Sequence, residues 1–123
     1  MKKRFLFLCG FLALGQAVSW AGQPIFNGKD LDGWSGDPRL WSVEEGVIVG
    51  RTDDGERAIK ANTFLIYEKE TPGDFQLSFK ARVSASNSGV QYRSRRLEKD
   101  KWRLAGYQMD LHPKGPFLGM LYE

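Results

Sequence analysis

Asp74-Phe75-Gln76-Leu77-Ser78-Phe79-Lys80-Ala81-Arg82-Val83 carries the clearest periodicity in the chain. Phe75, Leu77, Phe79, Ala81 and Val83 alternate with Gln76, Ser78, Lys80 and Arg82. A period of two sends successive side chains to opposite faces, so the segment predicts a strand with one packed and one wet face. Gly89-Val90-Gln91-Tyr92-Arg93-Ser94 and Gly106-Tyr107-Gln108-Met109-Asp110-Leu111 alternate in the same way. Leu40-Trp41-Ser42-Val43 leads through Glu44-Glu45-Gly46 to Val47-Ile48-Val49, the pattern of a hairpin. Thr63 to Tyr67 and Phe117 to Tyr122 are short apolar runs, the first suited to burial on both faces. Turn signals at Asn27-Gly28, Asp32-Gly33, Ser84 to Ser88 and Pro113-Lys114-Gly115-Pro116 separate these runs, and Arg51 to Ala61 reads as a charged surface loop. No segment sustains helical periodicity. Many short strands between turns predict an all-β antiparallel sandwich or barrel.

The N-terminus has a different character. Met1-Lys2-Lys3-Arg4 is basic, Phe5 to Leu14 is apolar, and Ser19 and Ala21 are small residues at the −3 and −1 positions of a cleavage site after Ala21. That order predicts a secretory signal peptide over residues 1–21 and an exported domain, periplasmic or secreted, over residues 22–123. The apolar run falls short of the roughly 20 residues a membrane span requires, so no span is expected after cleavage. Cys9, the sole cysteine, lies within this segment and follows Leu8 rather than the small residue a lipoprotein site requires. The mature domain therefore has no thiol chemistry and no disulfide. The 18 Lys and Arg exceed the 15 Asp and Glu by Lys2, Lys3 and Arg4. Without them the charges balance, and neither a nucleic-acid footprint nor attraction to a membrane surface is expected. The closing Leu121-Tyr122-Glu123 falls within a strand-like run, which suggests a fragment of a longer domain.

Chemistry concentrates on the polar faces of two alternating runs. Unbroken alternation puts Gln91, Arg93 and Arg95 on one face and Val90, Tyr92 and Ser94 on the other. In the second run Gln108, Asp110 and His112 oppose Tyr107, Met109 and Leu111. If the two runs are neighbouring strands, Gln91, Arg93, Gln108 and Asp110 form one polar patch. Amides, a guanidinium and a carboxylate exchange hydrogen bonds with sugar hydroxyls, while aromatic rings stack on apolar sugar faces. The plainer alternative is a solvated sheet face. Asp110 can serve as a general base, a metal ligand or a turn cap. His112, the only histidine, can move a proton near neutral pH or simply occupy the loop before Pro113. Trp102, between Lys101 and Arg103, is placed to stack on a sugar; Trp34 and Trp41 read as packing residues. No His, Asp and Glu spacing specifies a metal site, and no Gly-rich loop for a nucleotide cofactor follows a strand.

Several ordered stretches together resemble one family. They are Phe26-Asn27-Gly28-Lys29-Asp30-Leu31-Asp32-Gly33-Trp34, Trp41-Ser42-Val43 with Gly46-Val47-Ile48-Val49-Gly50, Asn62-Thr63-Phe64-Leu65 and Gly73-Asp74-Phe75. Asn87-Ser88-Gly89-Val90-Gln91-Tyr92-Arg93-Ser94-Arg95, Gly106-Tyr107-Gln108-Met109-Asp110 and Gly119-Met120-Leu121-Tyr122-Glu123 complete the series. The pattern, from Phe26 to Glu123, resembles the 3-keto-disaccharide hydrolase domain family. The resemblance implies a concanavalin-like (jelly-roll) β-sandwich of which this chain carries the N-terminal part. It also implies cleavage of a glycosidic bond in a sugar oxidised to a ketone at C3, with a saccharide or oxidised disaccharide as the partner. On that reading Asp110 or His112 is the base, Arg93 and Gln91 hold enolate or sugar oxygens, and Gln108, Arg95 and Trp102 contribute to binding. A non-catalytic, lectin-like binding module and an inactive fragment are the alternatives, because one fold hosts many functions.

Overall fold

The structure, a computed structural model, describes residues 22–97, 102–114 and 116–123. The signal-peptide reading, over residues 1–21, lies outside the described residues. Seven strands form three separate antiparallel sheets, and no helix occurs among the described residues. β1 (Trp34–Ser35) pairs with β4 (Ile66–Tyr67), and β2 (Trp41–Glu44) pairs with β3 (Val47–Gly50). β5 (Ser88–Arg96), β6 (Leu104–Leu111) and β7 (Leu121–Tyr122) form a three-stranded sheet in that order. The all-β antiparallel class expected from the alternation is the one observed.

The turn chemistry explains how the chain reaches these pairs. In the segment before β1, Asn27 Oδ1 accepts from the backbone N–H groups of Lys29 at 2.8 Å and Asp30 at 3.0 Å. An asparagine side chain that binds its own downstream backbone in this way substitutes for a turn hydrogen bond. The Trp34 indole N–H then donates to the Ile25 carbonyl at 3.1 Å, and the Trp34 ring lies 5.1 Å from that of its cross-strand partner Tyr67. Between β2 and β3, Glu45 and Gly46 both have positive φ, 49° and 75°. Two successive left-handed residues make the tight turn whose twist matches a hairpin. Glycine meets this demand without a Cβ penalty, and Glu45 is carried by the closure of the ladder.

Packing is thin. Leu40 is the one apolar side chain nearly removed from water among the described residues, at 5% exposure. Burial of a leucine contributes about 1.5–3 kcal/mol, so polar anchors carry much of the local definition here. Asp37, also buried, accepts from the Arg39 Nε at 3.1 Å and from the Arg39 backbone N–H at 3.0 Å. The Arg39 guanidinium holds the Asp37 carboxyl below the usual carboxylate range. The Asp37 carbonyl caps the turn into β2 by accepting from the Leu40 N–H at 3.0 Å.

Residues 74–83 depart from the sequence expectation. They belong to no sheet, and Phe75, Leu77 and Phe79 are 48%, 39% and 46% exposed. Alternation specifies which face a strand would bury; it does not supply the neighbour whose backbone completes the ladder. The runs 63–67 and 117–122 also contract, to Ile66–Tyr67 and Leu121–Tyr122; in the second, residues 116–119 form a turn.

One ion pair in the β2–β3 hairpin makes a pH prediction. The Arg51 Nη2 donates to Glu44 Oε2 at 2.7 Å, and its Nη1 contacts the other oxygen. This guanidinium, aided by the Ser42 hydroxyl, pulls the Glu44 carboxyl down to about 2. A depressed carboxyl stabilises the hairpin fully above its unfolded-state pKa, and the contribution is lost as pH falls toward 2. An NMR titration of the Glu44 carboxyl carbon should show a midpoint near 2. In Arg51→Ala the midpoint should return to the ordinary glutamate range; an unchanged midpoint would contradict the pairing.

Candidate functional site

β5 and β6 are in register with Gly89 opposite Asp110, Gln91 opposite Gln108 and Tyr92 opposite Tyr107. β7 adds Tyr122 opposite Gln108. Directly opposed residues share a face, so Gln91, Gln108 and Tyr122 lie on the same side, with Asp110 one pair further along. The polar patch expected from alternation is therefore assembled for Gln91, Gln108 and Asp110. The Gln108 Nε2 donates to Asp110 Oδ1 at 2.7 Å, and the Gln91 Nε2 donates to the Gly106 carbonyl at 3.2 Å. Each amide keeps a second N–H and a carbonyl oxygen for a ligand. The backbone of Asp110 is held as well. Its N–H donates to the Met120 carbonyl at 2.9 Å, and its carbonyl accepts from the Gly119 N–H at 2.8 Å.

Gly89 makes room for this arrangement. A Cβ built there would fall 2.6 Å from the Gln108 Cγ and Cδ, so the Gln108 side chain lies across the bare backbone of β5 on its way to Asp110.

The ladder slips between Tyr92 and Arg95, where Arg93 and Ser94 together oppose Gly106. Arg93 takes a left-handed φ of 47°, and Gly106 has a φ of 152°. This is a β-bulge, which inserts one residue and shifts the phase of everything after it. Tyr92 pairs with Tyr107 and Arg95 with Ala105, so Arg95 joins the Tyr92–Tyr107 face. The unbroken alternation had put Arg95 beside Gln91, and the bulge separates them. Arg96, opposite Leu104, takes the place on the Gln91 face and pairs with Glu68. Arg93 donates to Asp74 at 2.9 Å and lines a neighbouring cleft of about 370 Å³ with Arg95, Tyr107 and Glu123.

The cleft on the Gln91–Gln108 side has a volume of about 440 Å³. Asn62, Phe64, Tyr122 and Glu123 line it with the two glutamines. Its volume falls in the range of sites for small organic ligands. Phe64 and Tyr122 supply aromatic surface beside amides, a combination suited to a sugar ring. Sequence periodicity alone could not bring Asn62 and Phe64 here. Their wall is fixed by the Phe64 N–H, which donates to the Trp102 carbonyl at 2.9 Å. Trp102 is half-buried, and its indole N–H donates to Ser35 Oγ at 2.9 Å, so it braces this wall from behind. His112 is engaged in its own turn. Its Nδ1 accepts from the Lys114 N–H at 3.1 Å, and its ring meets Phe117 edge-on with centroids 5.7 Å apart. Among the described residues no group of three or more His, Cys, Asp and Glu side chains is placed to hold a metal ion.

The described residues present planar polar groups and aromatic rings in one shallow cleft on an all-β frame. Residues 21–123 match the family model described as the 3-keto-alpha-glucoside-1,2-lyase-like domain. The chain belongs to that family, the 3-keto-disaccharide hydrolase group whose motifs it resembles. A search of curated proteins returns no match, and a search of solved structures returns none either. Membership places the chain among carbohydrate-active domains of 3-keto-glycoside chemistry.

The packing of Gln108 across Gly89 yields a direct test. In Gly89→Ala the new methyl displaces the Gln108 amide and breaks its bond to Asp110. The Gln108 side-chain NH₂ resonances should move strongly in an NMR spectrum while the β2–β3 hairpin resonances stay in place. Unmoved Gln108 resonances would show that the side chain does not cross Gly89.

Proposed function

We propose that the domain binds a 3-keto-glycoside in the cleft beside Gln91 and Gln108 and breaks its glycosidic bond by elimination, with Asp110 as the base. The observation that carries this reading is the Gln108–Asp110 hydrogen bond on the face shared with Gln91. It fixes one carboxylate oxygen and leaves Oδ2 for a proton.

The chemistry follows from the C3 ketone. The ketone acidifies the proton on C2, and Asp110 Oδ2 takes it. The electron pair left on C2 is delocalised onto the C3 oxygen as an enolate. The remaining N–H groups of Gln91 and Gln108 are donors for that oxygen, and donors held in place before charge develops stabilise it without reorganisation. The pair then returns to form the C1=C2 double bond as the C1–O bond breaks, and the departing oxygen takes up a proton. Addition of water across C1=C2 gives net hydrolysis; without it the product is that of a lyase. Such a route needs one positioned base rather than the two flanking carboxylates of an ordinary glycosidase. His112 Nε2, left over once Lys114 engages Nδ1, is a secondary contact to substrate on this reading, while Arg93 faces the neighbouring cleft. The order of residues 1–21 supports export to the periplasm or beyond.

A purely saccharide-binding module is the second reading, favoured by the exposure of Tyr122 and Glu123 at the cleft. The test uses the full chain with a 3-keto-disaccharide. Asp110→Asn should lower turnover by about 10²-fold or more while binding changes little, as expected for loss of a general base. Unchanged turnover would remove Asp110 from the mechanism. Binding by the unsubstituted chain with no bond cleavage would establish the module instead.

A further inference from the structure

Ser35 lies outside the cleft of Gln91 and Gln108, yet it joins two of the elements that enclose it. Its backbone belongs to β1, where it pairs with Ile66 of β4. Two residues before Ile66, Phe64 forms part of the cleft wall. Leu65, between them, packs on the bare backbone of Gly36, where a Cβ would fall 2.8 Å from the Leu65 Cδ1. The Ser35 side chain reaches the other element. Its Oγ accepts from the Trp102 indole N–H at 2.9 Å, across 67 residues of sequence. Trp102 leads into β6, whose residues Leu104, Ala105 and Gly106 form the floor of the cleft. Beside it the Leu97 N–H donates to the Arg103 carbonyl at 2.9 Å and ties that end of β6 to the end of β5. The Trp102 carbonyl closes the circuit by accepting from the Phe64 N–H at 2.9 Å.

We propose that the Ser35 hydroxyl is a positioning group for saccharide binding. By fixing the Trp102 indole it sets where Trp102 presents its carbonyl, and hence how far the Phe64 ring stands from the floor. This role rests on the reading of the cleft as the saccharide site. Ser35 itself meets no sugar.

The β1–β4 ladder is two residue pairs long. So short a pairing holds its neighbours weakly by itself, and the bond from Phe64 to Trp102 supplies the second point of attachment. Removal of the hydroxyl leaves a half-buried indole N–H without its acceptor. That loss costs free energy until the ring turns to find another partner, and the turn carries the Trp102 carbonyl and Phe64 with it. Stacking of an aromatic ring on a sugar face depends on their separation. It takes no part in moving the proton, so its weakening affects substrate and transition state alike and raises KM while kcat holds.

The experiment compares Ser35→Ala, Ser35→Thr, Trp102→Phe and the double variant Ser35→Ala/Trp102→Phe in the full chain, with a 3-keto-disaccharide. Ser35→Ala should raise KM about fivefold with kcat unchanged, the size expected of one lost hydrogen bond. If the chain binds without cleaving, the dissociation constant should rise by the same factor. Trp102→Phe keeps an apolar ring, loses the N–H and should behave alike. The double variant should be no worse than either single one, because the two groups act as one pair. Ser35→Thr retains the hydroxyl and should match the unsubstituted chain. Without ligand, the Phe64 amide should exchange with solvent at least about tenfold faster in Ser35→Ala, as expected of a loosened local contact. An unchanged affinity in Ser35→Ala, a fall in kcat at constant KM, or effects that add in the double variant would each overturn the proposal and leave the reading of the cleft standing. So would a Ser35→Thr as weak as Ser35→Ala, or an unmoved Phe64 exchange rate. An unsubstituted chain that binds no 3-keto-disaccharide would overturn both.

Discussion

The antiparallel ladder between β5 and β6, with its bulge at Arg93–Ser94, is the constraint on which the site depends. Ahead of the bulge, register brings Gln91 and Gln108 face to face and sets Asp110 opposite the open backbone of Gly89. At the bulge, Gly106 is the residue that lets the two strands stay paired. A Cβ there would lie 2.3 Å from Ser94 Oγ and 2.8 Å from the Arg93 carbonyl oxygen, closer than real contacts allow. The bulge then re-aims the arginines. Arg93 turns toward Asp74, Arg95 moves to the opposite face, and Arg96 replaces it beside Leu104. Loss of the bulge would put Arg95 on the glutamine face and alter the charge of the cleft.

The other elements act as supports. The β1–β4 pair holds Ser35, whose hydroxyl accepts from Trp102, and the Trp102 carbonyl in turn holds Phe64 at the cleft wall. A chain of single hydrogen bonds thus links the first strand to the wall of the cleft. With Leu40 the one nearly buried apolar side chain among the described residues, such links have more influence on local geometry than they would in a thickly packed domain.

Much of this was legible in the sequence, and the failures have physical causes. The Glu45-Gly46 turn and the alternation around Gln91 and Gln108 are local signals, and both produced the expected strands. The bulge left no trace in the pattern because Gln91, Arg93 and Arg95 alternate without interruption through it. Only the backbone, with its positive φ at Arg93, reveals the change of phase. Segment 74–83 has the clearest strand pattern of all and yet is unpaired, since pairing is a property of two segments and periodicity describes one. Asn62 and Phe64 stand far from β5 in sequence. The ordered family motifs flagged their stretch, whereas hydrophobic period could not. Trp102, read as placed to stack on a sugar, is half-buried with its indole N–H held by Ser35 Oγ.

On the proposed reading, saccharide is held on the Gln91–Gln108 side of β5–β6 and not on the Arg95–Tyr107 side. Side-chain amide resonances of glutamine report contact directly, and these two residues face each other across the ladder. The most direct measurement is an NMR titration of the full chain with a 3-keto-disaccharide, following the NH₂ groups of Gln91 and Gln108 together with the Tyr107 ring. The arrangement predicts saturable shifts in both amides with the Tyr107 ring unmoved. Shifts confined to Tyr107 and Arg95, with both amides unchanged, would contradict it.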